Sequence, residues 1–105
     1  MGLSRYFSED GVQLIIALDK TFNFNMVNEF RDAYSEGTSE IKKITIDMEK
    51  TQYIDSSALG LLLNMHKSME GQVSSFTICN VGSKVAKIFE ISRFDKKFEI
   101  IEAES

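Results

Sequence analysis

The run Lys43-Ile44-Thr45-Ile46-Asp47-Met48-Glu49-Lys50-Thr51-Gln52-Tyr53-Ile54-Asp55-Ser56-Ser57-Ala58-Leu59-Gly60-Leu61-Leu62-Leu63 changes its hydrophobic period halfway along. From Lys43 to Met48 apolar and polar residues alternate, with Ile44, Ile46 and Met48 on one side, so this piece reads as a half-buried strand. From Ala58 to Met69 Leu and Met recur at helical spacing, Asp55 or Ser56 supplies an N-cap, and Gly71 marks the stop. A strand that passes so quickly into a helix is half of a crossover unit.

The flanks repeat it. Upstream, Val12 to Leu18 is apolar enough for a strand, and Glu9-Asp10-Gly11 supplies a hairpin turn after a weaker strand near Ser4 to Ser8. From Asn25, Met26, Val27, Phe30, Ala33 and Tyr34 recur at helical spacing, with Asn25 as N-cap and Gly37 as the stop. Downstream, Ser74 to Asn80 returns to strand. Ser83 caps a shorter helix striped by Val85, Ile88 and Phe89, and Phe98 to Ile101 forms a last strand. The predicted order is β-β-α-β-α-β-α-β: an α/β fold, a mixed sheet with helices packed on it and an antiparallel edge from the opening hairpin.

With 105 residues, the chain forms one domain, 1–105, with no room for a second catalytic lobe. Its apolar share of 43% is enough for one modest core, which argues against disorder. Twelve cations against sixteen carboxylates leave −4, and no basic run points to nucleic acid or an anionic membrane. A single cysteine, Cys79, excludes an internal disulfide and fits a reducing cytoplasm. No apolar stretch approaches the roughly 20 residues of a membrane span, and Met1-Gly2-Leu3-Ser4-Arg5-Tyr6 has no signal-peptide core. We expect a cytoplasmic monomer whose partner is a protein.

Catalytic chemistry finds little support. His66 and Cys79 each stand alone, without the spacing of metal ligands, and no cofactor is expected. His66 cannot serve Ser56 as a base, because ten positions on one helix put about 15 Å between them. The six glycines form neither a phosphate-cradling loop nor a dinucleotide fingerprint.

The corner Asp55-Ser56-Ser57 is what core building leaves over. Asp and Ser are preferred N-caps and would stand there without any function; the sharper reading is a regulated serine. At about 100° per residue, Ala58, Leu61, Leu62, Met65 and Met69 fall on one buried stripe. Ser56, Leu59, Gly60 and Leu63 fall on another face, which Lys67 continues. Leu59 and Leu63 are either covered by another element or form an exposed docking patch beside Ser56.

The segment Ile44 to Gly60, with its hydrophobic strand, spacer and Asp55-Ser56-Ser57-Ala58-Leu59-Gly60 corner, resembles the STAS domain family (sulfate transporter and anti-sigma factor antagonist), and in particular its small stand-alone anti-sigma factor antagonists. The run Asn80 to Ser92 is similar to the family's third-helix segment, and the resemblance extends over nearly the whole chain. It implies that Ser56 is the phosphorylated residue, flanked by Asp55 and Ser57, with Leu59, Gly60, Leu63 and Lys67 on the partner-binding face. It further implies a partner-switching role. The unmodified protein binds a regulator with an anti-sigma-type serine kinase domain, phosphorylation of Ser56 releases it, and a metal-dependent serine phosphatase restores it. Two positions depart from the pattern: Ala58 replaces a common Gly, and Asn23, in Phe22-Asn23-Phe24, stands where many members carry Asp in a partner-contacting loop.

Two rival readings keep the same residues. A constitutive STAS subunit of a membrane transport ATPase complex would dock through the same helix face without the switch. A small serine hydrolase would use Asp55 and Ser56, but it lacks a third member within reach.

Overall fold

The computed structural model describes residues 2–104. In chain order the elements are β1 (Leu3–Phe7), β2 (Gln13–Leu18), β3 (Thr21–Phe22), α1 (Val27–Ser35), β4 (Lys43–Asp47), β5 (Tyr53–Ile54), α2 (Ser56–Met69), β6 (Ser75–Val81), α3 (Ser83–Ile91) and β7 (Glu99–Glu102). The main sheet runs β1-β2-β4-β6-β7, with β1 antiparallel to β2 and every other neighbour parallel. This is the expected α/β architecture with its antiparallel edge. The order gains two elements that the sequence pattern did not disclose, the two-residue strands β3 and β5, which pair with each other alone.

Local chemistry explains the hairpin. Gly11 takes the left-handed conformation (φ +76°) that the Asp10-Gly11 turn requires. The Asp10 carboxylate accepts hydrogen bonds from the Ser8 hydroxyl (2.6 Å) and the Val12 amide (3.2 Å). Those two donors, the hydroxyl first, hold its pKa below the usual carboxylate value.

Each parallel crossover, β2 to β4, β4 to β6 and β6 to β7, steps one place in the same direction. Right-handed connections therefore put α1, α2 and α3 on the same face of the sheet. Burial follows: Leu14, Ile16 and Leu18 of β2, Ile44 and Ile46 of β4, and Phe76 and Ile78 of β6 are buried, while the alternate residues are only half-buried or exposed. One register row sets Ile16, Ile46, Ile78 and Ile100 side by side across four strands. Over this row sit Phe30 and Tyr34 of α1, the Leu and Met stripe of α2, and Val85 and Phe89 of α3. Among the described residues no helix lies on the opposite face, which bears Ile15, Ala17, Thr45, Thr77 and Cys79.

Three boundaries differ from the sequence reading. Asn25 does not cap α1: a short 3-10 turn, Phe24–Met26, comes first, and Asn23 caps that turn by accepting the Asn25 amide at 2.9 Å. Gly82, not Ser83, occupies the cap position of α3, and Ser83 is already helical. Phe98 lies just before β7, buried and stacked on Phe94. Asn25 and Phe98 are displaced by three-residue 3-10 turns, Phe24–Met26 and Phe94–Lys96, which are too short for hydrophobic periodicity to disclose.

Candidate functional site

Asp55 is extended and caps α2. Its Oδ1 accepts the Ala58 amide at 3.0 Å and the Ser57 hydroxyl at 2.6 Å. The Ser57 hydroxyl first, and then the Ala58 amide, pull its pKa below the ordinary carboxylate value, so the cap is an anion at neutral pH. This settles which side chain caps the helix, and it separates the two serines. Ser57 is half-buried and committed to Asp55. Ser56, the first helical residue, is exposed, and among the described residues no hydrogen bond holds its hydroxyl.

The α2 face divides as helical geometry predicts. Ala58, Leu61, Leu62, Met65 and Met69 are buried. Leu59 is half-buried against the core, whereas Leu63 is 39% exposed and Gly60 and Lys67 lie open to solvent. Of the two leucines in question, Leu59 packs against the core and Leu63 keeps about two fifths of its surface open.

The small sheet supplies what the sequence pattern did not. Thr21 pairs with Tyr53 and Phe22 with Ile54, in parallel. The Lys20 carbonyl ties the pair together by accepting the Gln52 (2.8 Å) and Tyr53 (3.1 Å) amides. Because two parallel strands in register end together, the residues that follow them, Asn23 and Asp55, leave the sheet side by side. Asn23 thus stands beside the corner, half-buried, with its side chain spent on capping the next turn. That turn packs near α2 and carries Phe24, which is 62% exposed; Tyr53 is 56% exposed. Both aromatics were missed as site residues. The signal available was Phe22-Asn23-Phe24, where two aromatics two residues apart cannot both leave the extended backbone into the core while a turn begins between them. A cleft of about 330 Å³ separates Gln52 and Tyr53 from the first turn of α3 at Ser83 and Lys84.

Other candidates lie elsewhere. His66 packs on Phe76 (4.5 Å between rings) and Phe98, with Nδ1 4.0 Å from Glu70. Cys79 sits on the helix-free face of β6, its thiol pKa pushed up first by burial and then by Asp47. Among the described residues no cluster of three or more His, Cys, Asp or Glu could hold a metal, and no helix is long and apolar enough to cross a membrane.

Comparison with known proteins adds the context. The chain is 33% identical over 100 residues to a STAS-domain protein of Pseudomonas aeruginosa, covering 95% of this chain and 99% of that one. Its fold is similar to that of the anti-sigma factor antagonist SpoIIAA in its unphosphorylated form (TM-score 0.75, 17% identity, 97% of this chain and 89% of that chain). It is also similar to the Bacillus cell-fate determinant SpoIIAA in its phosphorylated form (TM-score 0.72, 18% identity, 93% and 89%). The family model for the STAS domain matches residues 8–105. Strand order, one-sided helices and the capped serine corner meet in one assignment: the chain belongs to the STAS domain family.

Proposed function

We propose that the protein is a partner-switching regulator of the anti-sigma factor antagonist type, not a catalyst, and that reversible phosphorylation of Ser56 controls its binding. The observation that carries this is the contrast at the start of α2. Ser57 is locked to Asp55, while the Ser56 hydroxyl is exposed and has no hydrogen-bond partner among the described residues, and Phe24, Tyr53 and Leu63 on the adjoining elements are exposed too. The expected partner is a regulator with an anti-sigma-type serine kinase domain, and a metal-dependent serine phosphatase reverses the mark. SpoIIAA, whose fold is similar, carries the anti-sigma factor antagonist description and has been solved in both an unphosphorylated and a phosphorylated form, which supports the reading.

The physics separates folding from binding. A phosphate brings about −1.5 to −2 charges. The first turn of a helix offers unpaired N–H groups and the positive end of the dipole to receive them, so the fold tolerates the mark. An interface laid over the corner would have to desolvate that charge among apolar contacts and beside anionic Asp55. In the unmodified state, Asn23, Asp55, Ser57, Leu59, Gly60, Leu63 and Lys67 border the contact, and Phe24 and Tyr53 extend it.

Titration calorimetry against the kinase-domain regulator tests this. Ser56→Ala retains binding, and Ser56→Asp weakens it by roughly 30-fold or more, the scale of an unpaired charge at a buried contact. Equal affinities for the two variants would overturn the switch and fit a constitutive subunit of a transport complex instead. Leu63→Glu blocks binding while changing stability by no more than about 0.5 kcal/mol, because Leu63 is not core.

A further inference from the structure

The main sheet ends in β1 on one side and β7 on the other, and the two edges are built differently. β7 opens with Glu99, closes with Glu102, and meets β6 across a register irregularity between Ile78 and Val81. A second copy of β7 laid along it would set carboxylates against carboxylates. β1 has none of these guards. Its five residues pair with β2 in unbroken register, and Ser4 to Phe7 are exposed. Its one charge, Arg5, is turned onto α1, where Nη1 donates to the carbonyls of Ala33 (2.9 Å) and Glu36 (2.6 Å).

Register fixes which backbone groups of β1 are free. The Asp19 amide donates to the Gly2 carbonyl (3.0 Å) and the Ser8 amide to the Gln13 carbonyl (2.9 Å). In an antiparallel ladder every second residue bonds to the neighbour, so Gly2, Ser4, Tyr6 and Ser8 face β2, whereas Leu3, Arg5 and Phe7 turn their N–H and C=O groups outward. Among the described residues no strand receives them.

We propose that β1 pairs with β1 of a second copy, antiparallel about a two-fold axis at Tyr6, joining the two main sheets into one. A row of outward amides and carbonyls fits an extended strand and not a helix. In this register Arg5 and Phe7 of opposite copies exchange backbone hydrogen bonds, and each guanidinium faces an aromatic ring, the match that Arg5 already makes with its own Phe7 at 5.3 Å. Pairing centred on Arg5 would instead oppose two guanidinium groups. Charge selects the same register. Glu9 of one copy arrives opposite Leu3 of the other, at the end of β1 where Lys50 lines a hollow together with Leu3 and Ser4. Lys50 is exposed and has no carboxylate partner among the described residues. One strand per copy is a small contact, so the pairing is weak and reversible, and it replaces the expected monomer with a monomer–dimer equilibrium.

Sedimentation velocity of the full chain from about 10 µM to about 1 mM, the range of weak interfaces, tests this. A shift from monomer to dimer with rising concentration is expected. Phe7→Lys, which puts a cation opposite Arg5 of the other copy, should weaken dimerisation by roughly five- to tenfold. Lys50→Glu should weaken it by roughly two- to fivefold, and combining it with Glu9→Lys should restore it, a rescue that damage to the fold would not produce. Tyr6→Cys should oxidise readily to a disulfide-linked dimer, because non-hydrogen-bonded antiparallel neighbours stand about 4.5 Å apart at Cα. The parent, with Cys79 on β6, and Ser4→Cys should link far more slowly. A monomer at every concentration, which leaves the edge to a strand of another protein, would overturn the proposal. So would equal linking of Tyr6→Cys and Ser4→Cys, or failure of the charge reversal to restore pairing.

Discussion

At the scale of single residues, the corner depends on how one carboxylate is used. Asp55 holds the Ala58 amide and the Ser57 hydroxyl at once, which leaves Ser56 as the one uncommitted hydroxyl of the pair. Replacing Asp55 with Ala removes the cap and lowers the melting temperature. The pH dependence has a definite sign. The folded-state pKa of Asp55 is depressed, so its contribution is present above the unfolded value, near 3.8, and is lost as pH falls through the lower folded value. Melts of the parent and Asp55→Ala should therefore differ by a constant amount at neutral pH and converge below about pH 4; a gap that persists into strong acid would refute the assignment. Gly60 offers a second test. It lies in mid-helix on the open face, and a Cβ there would meet nothing within 4 Å. Gly60→Ala should raise stability by about 0.5–1 kcal/mol, measurable by denaturant titration, and any loss of partner affinity in this variant marks close approach at that position.

At the scale of elements, the long pieces were legible in the sequence and the short ones were not. Alternation of Ile44, Ile46 and Met48 and the wheel of Ala58, Leu61, Leu62, Met65 and Met69 each sample a period several times, so strand and helix could be read with their buried sides. β3 and β5 have two residues each, which is a single period and carries no pattern. Their pairing depends on register across thirty-two positions of chain, and from it follow the placement of Asn23 beside Asp55 and the exposure of Phe24 and Tyr53. The caps at Asn25 and Ser83 were misplaced for a related reason: several small polar residues adjoin each helix start, and only the turn geometry selects among them. The energetic contrast between faces of α2 is large. Leu62, fully buried, should cost about 2–5 kcal/mol as Leu62→Ala, a substantial part of a total of about 5–15 kcal/mol. Leu63→Ala, one residue on, should cost far less, and chemical denaturation of the two variants measures the difference.

At the scale of the whole molecule, the mark proposed at Ser56 should leave the fold largely unchanged. Phosphorylation of Ser56 would take the net charge from −4 to about −6, at a helix terminus suited to anions and at a residue exposed to solvent. The singly phosphorylated protein should therefore melt within a few degrees of the unmodified one, as calorimetry of the two forms would show; a large drop would mean that the corner rearranges and that release from the partner is conformational instead of electrostatic. The family-level picture and the architecture agree here.

The same one-way order of strands bears on how the chain comes together during synthesis. After the opening hairpin, β4, β6 and β7 each join the outer edge of what has already formed, and none has to be inserted between strands that are already paired. Each addition closes a loop of one helix and its connections, so contacts stay fairly local for a parallel sheet, and the growing polypeptide can build its core in the order in which it leaves the ribosome. Until the next strand arrives, the newest edge is left unpaired, while the other edge stays at β1 throughout.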